Sequence, residues 1–152
     1  MRWESICAAA AEFGIEISDK LTVQLEGESA SPELGHIAAK KLVATGLPFT
    51  ALFAFNDISA IGSIQALREA GRCVPKDVSV VGFDDIQNAA FIDPPLTTVR
   101  QPLREMGFLA AETLLRRIGG PAGASYPKEI VVEPALITRS STAVALTIPP
   151  HS

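Results

Sequence analysis

Apolar and polar residues alternate along the chain in two patterns, one typical of amphipathic helices and one of buried strands. Four segments have apolar residues at helical spacing, and a glycine ends each of them: 2–13, 32–45, 58–70 and 102–118. Short apolar runs predict strands at 21–25, 50–55, within 74–83, at 96–101 and within 128–138. Alternating strands and helices predict an α/β fold, a parallel sheet in a three-layer sandwich with helices on both faces.

Composition and charge narrow the classes of function. The chain has 152 residues, enough for one domain, and its net charge of −4 argues against a nucleic-acid-binding surface on it. Cys7 and Cys73 belong to no CxxC pattern and are predicted to be buried thiols in a reducing compartment. Metal-ligand spacing and a run long enough to cross a membrane are both absent from the sequence. We therefore expect no metal, no cofactor, no membrane partner and a cytoplasmic location.

Two predicted strands end in adjacent polar residues. Asn56-Asp57 follow TALFAF, and Asp84-Asp85 follow VSVVGF. A local role is open at each pair, because an Asn or Asp can cap the next helix or shape a turn. In parallel sheets, however, ligands bind at the carboxyl ends of the strands. Two such pairs at equivalent strand ends favour a cleft for a hydroxyl-rich ligand, which carboxylates and amides hold with paired hydrogen bonds.

Three motifs in this order resemble the C-terminal part of the LacI/GalR family of transcriptional regulators. They are NDISAIG at 56–62, AG-x-x-VPKDVSVVGFDD at 70–85 and PPLTTVRQP at 94–102. Matching segments at both ends extend the resemblance over nearly the whole chain. It implies a sensing domain with a periplasmic binding protein-like fold of type I, in which two α/β lobes enclose a ligand cleft.

The resemblance also implies a division of the chain. Residues 1–143 correspond to the C-terminal lobe, with 102–119 as a helix that crosses to the N-terminal lobe, and 144–152 as a flexible tail. The helix-turn-helix, the hinge helix, most of the N-terminal lobe and the first strand of this lobe are then expected outside the given sequence. Operator DNA would be contacted only through that missing N-terminal domain.

Individual positions match the functional residues of the family. Five are expected to contact the effector: Arg2, Asn56, Asp57, Asp84 and Gln101. Phe91 lies in the segment that helps to form the family's dimer interface, although it also fits an ordinary loop anchor, and Arg2 fits a surface residue at a helix start. At Ala30 the sequence departs from the family, which often has an aromatic residue there that stacks on the ligand.

The expected function is therefore the sensing of a small-molecule effector, a sugar or another small polar compound, by a homodimeric LacI-type regulator. The alternative is a periplasmic sugar-binding protein of an ABC transporter, which shares the fold. An enzyme is not expected and no catalytic residue is assigned, because no GxSxG elbow, phosphate-binding glycine loop or His–carboxylate pair occurs.

Overall fold

Four strands form one mixed sheet at the centre of the fold. The computed structural model describes residues 2–25, 31–121 and 125–144. Its strands are β1 (Ala51–Phe53), β2 (Ser79–Phe83), β3 (Thr97–Arg100) and β4 (Ala135–Ile137), in the spatial order β1-β2-β3-β4. β1, β2 and β3 pair in parallel, and β4 pairs antiparallel to β3. The predicted α/β fold with a mainly parallel sheet is confirmed, with one antiparallel edge strand.

Helices follow the predicted pattern closely. They are α1 (Arg2–Glu12), α2 (Pro32–Ala44), α3 (Asp57–Glu69) and α4 (Leu103–Gly119), and each bound lies within one residue of the sequence prediction. Glycines with positive φ follow α2 and α3, at Gly46 and Gly71, where a residue with a Cβ would be strained. None of the described helices is long and apolar enough to span a membrane.

The strand predicted at 21–25 is wrong. Leu21 ends a short 3-10 turn (Asp19–Leu21), and residues 22–25 have no regular secondary structure. Hydrogen bonds within this segment hold the turn, since the Ser18 side chain accepts from the backbone N–H of Lys20 and Thr22 donates to the carbonyl of Asp19. An apolar run becomes a strand only when a neighbour pairs with its backbone, and the described sheet consists of β1 to β4 alone.

The core lies between the sheet and the pair of helices α2 and α3. Leu52 and Val80 face this side and are buried, while Phe53 on the opposite face of the sheet is 45% exposed. α3 packs on β2 and carries buried residues along most of its length, and α2 packs on α3. In contrast, no described side chain of α1 or α4 is fully buried.

The prediction of two buried thiols is wrong. Cys73 is exposed and Cys7 is partly exposed, and both are free. Cys73 lies in the loop that follows α3, where its backbone N–H donates to the carboxylate of Asp77 at 2.7 Å. That loop is shaped by backbone and turn hydrogen bonds, so it does not require a buried side chain at this position.

A charged cluster joins α2 to α3 on the surface. Glu69 accepts from Lys40 at 2.8 Å and contacts His36 Nε2 at 2.9 Å, and these two partners lower the pKa of Glu69 to about 2. His36 and Glu69 thus form a His–carboxylate pair, which the sequence did not predict because the two residues are 33 positions apart. A lowered folded pKa means that the carboxylate stabilises the fold above its ordinary pKa of 4.5 and that this stabilisation is lost as the pH falls towards about 2.

We expect Glu69→Gln to reduce the loss of stability that the protein shows as the pH falls from 4.5 towards 2. The variant should lose stability relative to wild type above pH 4.5 and approach it near pH 2, because only the wild-type carboxylate is protonated in that window. Urea midpoints across the window measure this. Glu112→Gln on α4, which removes a surface pair with Arg116, is the matched control. Parallel curves for Glu69→Gln and wild type would contradict the prediction.

Candidate functional site

Three polar residues follow three adjacent parallel strands. Asn56 comes shortly after β1, Asp84 directly after β2 and Gln101 directly after β3. Because these strands are neighbours and run in parallel, their carboxyl ends meet at one edge of the sheet. The structure brings two of the residues into contact, since Gln101 Nε2 donates to Asp84 Oδ1 at 2.7 Å. We refer to Asn56, Asp84 and Gln101 as the strand-end site.

Asn56 has the local role that the sequence left open. It is the N-cap of α3, and its Oδ1 accepts from the backbone N–H of Ser59 at 2.9 Å and from the Ser59 hydroxyl at 2.7 Å. The residue is buried, so the cap holds the amide group in one orientation at the edge of the sheet. A contact between Asn56 and an effector stays a prediction.

Asp57 lies beneath the strand-end site and is fully buried. Its Oδ1 accepts from the Thr98 hydroxyl at 2.5 Å and its Oδ2 from the backbone N–H of Ile86 at 2.8 Å. Gly82 packs against the carboxylate so closely that a Cβ there would overlap Oδ1. Burial raises the pKa of Asp57, outweighing the hydrogen bonds, which lower it. Asp57 therefore joins α3, β3 and the turn after β2, and the ligand contact predicted for it would require this packing to open.

The turn after β2 has an unusual backbone. Asp84 has φ of 110° and Asp85 has φ of 54°, so two consecutive residues with side chains lie in the left-handed region. Such conformations cost about 1–3 kcal/mol each and persist only where the surroundings hold them. One restraint is the backbone N–H of Asp84, which donates to the carbonyl of Val99 on β3 at 2.9 Å.

Two arginines hold the second residue of this turn. The Asp85 carboxylate, only 7% exposed, accepts from Arg100 Nε at 2.5 Å and from an Arg139 guanidinium N–H at 2.6 Å. Burial alone would raise the pKa of Asp85, but hydrogen bonds and charge from Arg139 and Arg100 outweigh it and hold the pKa below its ordinary value. The sequence analysis assigned neither arginine a role: Arg139 is 54 residues from Asp85, and Arg100 lies within the motif PPLTTVRQP, which does not show its partner.

The remaining predicted positions are Arg2 and Phe91. Arg2 begins α1, but its side chain lies outside the described residues, as do Ala30 and the segment 145–152 of the predicted tail. Phe91 follows a 3-10 turn (Gln87–Ala90) and is 80% exposed, so its place in a dimer interface stays a prediction. Within the described residues, no cluster of His, Cys, Asp and Glu could hold a metal ion.

Comparison with known proteins gives one family match and a consistent set of relatives. Residues 8–142 match the periplasmic binding protein-like domain. Over 114 residues the chain is 52% identical to the HTH-type transcriptional regulator MalR of Streptomyces coelicolor, which covers 74% of this chain and 32% of that protein. It is 38% identical over 142 residues to the HTH-type transcriptional repressor PurR of Serratia proteamaculans, which covers 93% of this chain and 40% of that protein. The chain thus spans about a third of the length of the curated relatives it matches first.

Solved structures agree in fold. A complex of the transcriptional regulator CelR with cellobiose matches with a TM-score of 0.82 and 31% identity, over 92% of this chain and 41% of that one. A LacI family regulator from Enterococcus faecium with bound ribose matches with a TM-score of 0.76 and 32% identity, over 96% of this chain and 52% of that one. Both were solved with a sugar, and both are longer than the chain described here.

Proposed function

The chain belongs to the periplasmic binding protein-like domain family, and from this membership we propose that it forms the effector-sensing part of a LacI-type transcriptional regulator. The LacI/GalR resemblance seen in the sequence is confirmed, since the relatives are LacI-family regulators. Because those relatives are transcriptional regulators, they favour this proposal over the periplasmic transporter alternative, and we assign no catalytic step to the chain.

The observation that carries the proposal is the strand-end site. Asp84 offers carboxylate oxygens, and the Gln101 amide offers both a donor and an acceptor. The Asn56 amide offers its N–H₂ group, because its oxygen already accepts two hydrogen bonds from Ser59. All three residues lie at the carboxyl ends of adjacent parallel strands. This chemistry suits the hydroxyl groups of a sugar, because each hydroxyl can donate to a carboxylate while accepting from an amide. The sugars in two solved relatives, cellobiose and ribose, support the same ligand class.

A mechanism of sensing follows from the position of Gln101. This residue lies between β3 and Pro102, the N-cap of α4, so it connects the sheet to that helix. A ligand hydroxyl that replaces the Gln101–Asp84 hydrogen bond would favour one arrangement of α4 relative to the sheet. An effector acts in this way only if it binds one arrangement more tightly than the other.

Partners follow as further parts of the proposal. We assign operator DNA binding to a domain outside this sequence, in agreement with the net charge of −4. Phe91 is exposed and follows the 3-10 turn Gln87–Ala90, and we propose that it contributes to the interface of a homodimer. A regulator that acts on operator DNA works in the bacterial cytoplasm, which is the location that we propose.

The test is the affinity of the full-length regulator for ribose and cellobiose, measured by calorimetry. We expect Asp84→Asn to weaken binding of the sugar that wild type binds by about 10- to 100-fold, because a hydrogen bond to a charged group contributes about 1.5–3 kcal/mol. Asp93→Asn, which changes a carboxylate that is 95% exposed, is the matched control and should bind as wild type does. Equal affinities for wild type and Asp84→Asn would refute the site, and binding of neither sugar to wild type would refute the proposed ligand class.

A further inference from the structure

We infer that Asp85 and Arg139 are positioning residues, which hold the direction of the Asp84 side chain and tie the strand-end site to both segments that connect the sheet with α4. The effect on ligand affinity rests on the proposed function. The effect on the local backbone rests on the geometry alone.

The turn that carries Asp84 and Asp85 is strained. Asp84 and Asp85 both have positive φ, and three successive backbone N–H groups in this turn are drawn to β3 or to α3. Asp84 N–H donates to Val99, Ile86 N–H donates to Asp57 at 2.8 Å, and Asp85 N–H has only a long contact of 3.4 Å with the Thr98 hydroxyl. The middle residue therefore has the weakest backbone restraint, and its side chain supplies the missing one.

Arg139 supplies this restraint on Asp85 from a segment on the far side of β3. Its guanidinium donates to Asp85 at 2.6 Å and, through the other terminal nitrogen, to the carbonyl of Leu96 at 2.7 Å. Its backbone N–H donates to the Thr97 hydroxyl at 2.9 Å. A planar fork reaches two acceptors in fixed directions, which the single ammonium group of lysine cannot reproduce. Arg139 thus fixes Asp85 relative to the start of β3.

The two arginines lie on either side of the part of the chain that leaves the sheet, forms α4 and returns as β4. Arg100 is the last residue of β3 and precedes the segment that leads into α4, while Arg139 follows β4 by two residues after the chain returns. No described side chain of α4 is fully buried, so packing on the sheet does not fix the helix. Asp85 is therefore bound both to the end of β3, from which the chain leaves for α4, and to the segment after β4, where the chain has returned to the sheet.

Adjacent residues of the turn make adjacent contacts with different expected lifetimes. Asp84 pairs with Gln101, and Asp85 pairs with Arg100, one position earlier. Asp84 has a neutral amide partner that a ligand can displace, whereas Asp85 has two cationic partners and is nearly buried. When a ligand takes the place of Gln101 on Asp84, Asp85 stays bound to Arg100 and Arg139. A movement of the segment after β3 or of the segment after β4 therefore moves Asp85, and with it the neighbouring Asp84.

Amide hydrogen exchange on the full chain tests the local effect without a ligand. We expect Arg139→Met and Asp85→Asn to accelerate exchange of the turn at 84–86 and of the returning segment at 135–139 by about tenfold, while amides in α3 exchange as in wild type. Arg139→Lys should lie between wild type and Arg139→Met. Arg116→Met, which removes a surface ion pair on α4, is the control. Equal acceleration throughout the chain would show a general stabilising role and overturn the inference.

Calorimetry on the full-length regulator tests the effect on affinity, with ribose and cellobiose as probes. Asp85→Asn should weaken binding of the sugar that wild type binds by about tenfold although Asp84 itself is unchanged, and Arg139→Lys should weaken it less than Arg139→Met. Unchanged affinity in Asp85→Asn would overturn the positioning role. If wild type binds neither sugar, the proposed ligand class fails, and hydrogen exchange alone decides whether Asp85 and Arg139 hold the turn.

Discussion

Gly62→Ala is expected to lower the free energy of unfolding by about 3 kcal/mol or more, since overpacking against rigid backbone exceeds the usual cost of an added methyl group. A Cβ on Gly62 would overlap the backbone carbonyl of Pro32 in the first turn of α2. On the other helix, a Cβ on Gly35 would overlap the backbone of Ser59. Neither backbone atom can move aside by rotating a side chain, so α2 and α3 would have to separate. Urea denaturation followed by circular dichroism measures the loss.

Gly107→Ala is the matched control for this prediction. Gly107 lies within α4, and a Cβ there would meet no atom within 4 Å. Alanine is the better helix former, so this variant should be neutral or stabilised by up to about 1 kcal/mol. Similar stability changes in Gly62→Ala and Gly107→Ala would mean that the close crossing of α2 and α3 does not govern stability.

The contrast between these two glycines shows what a local pattern can predict. The four helices were predicted within one residue because apolar spacing and terminal glycines are properties of neighbouring residues. The strand at 21–25 failed because pairing depends on a distant segment, which an apolar run does not specify. The close approach of each glycine to the backbone of the opposite helix, Gly35 to α3 and Gly62 to α2, is also a non-local contact. Nothing in the sequence around either glycine indicates that it faces the other helix.

The same distinction applies to the strand-end site. The strand ends predicted a cleft lined by Asn56-Asp57 and Asp84-Asp85, whereas Gln101 was assigned only through the family resemblance. The structure places Gln101 in contact with Asp84, and a ligand contact of either residue stays a prediction. The roles of two residues that are adjacent in sequence could not be distinguished from the sequence. Asn56 caps α3 while Asp57 turns into the core, and the pair Asn-Asp alone does not show which residue faces inward. Of the two arginines that hold Asp85, Arg139 is 54 residues away, beyond any motif.

Asp57 is the second position at which a large effect is expected. Asp57→Ala should lower the free energy of unfolding by about 3 kcal/mol, because each buried donor left without a partner costs about 1–3 kcal/mol and a cavity adds to this. The two donors are the Thr98 hydroxyl and the backbone N–H of Ile86. The loss would also release the turn that carries Asp84, so ligand affinity should fall together with stability.

Asp57→Asn separates the hydrogen bonds of this carboxylate from its charge. The amide oxygen can still accept from Ile86, and the amide N–H₂ can donate to the Thr98 oxygen, so we expect a loss of at most about 1 kcal/mol near neutral pH. Burial raises the folded pKa of Asp57 above its ordinary value of 3.8, which means that the wild-type group stabilises the fold most at low pH. That stability is lost as the pH rises from 3.8 through the raised folded value, and the asparagine variant does not share the loss. Urea midpoints of the two proteins should therefore converge as the pH increases. An asparagine variant as unstable as Asp57→Ala at every pH would show that an amide does not replace the hydrogen bonds of the carboxyl group, and it would contradict this prediction.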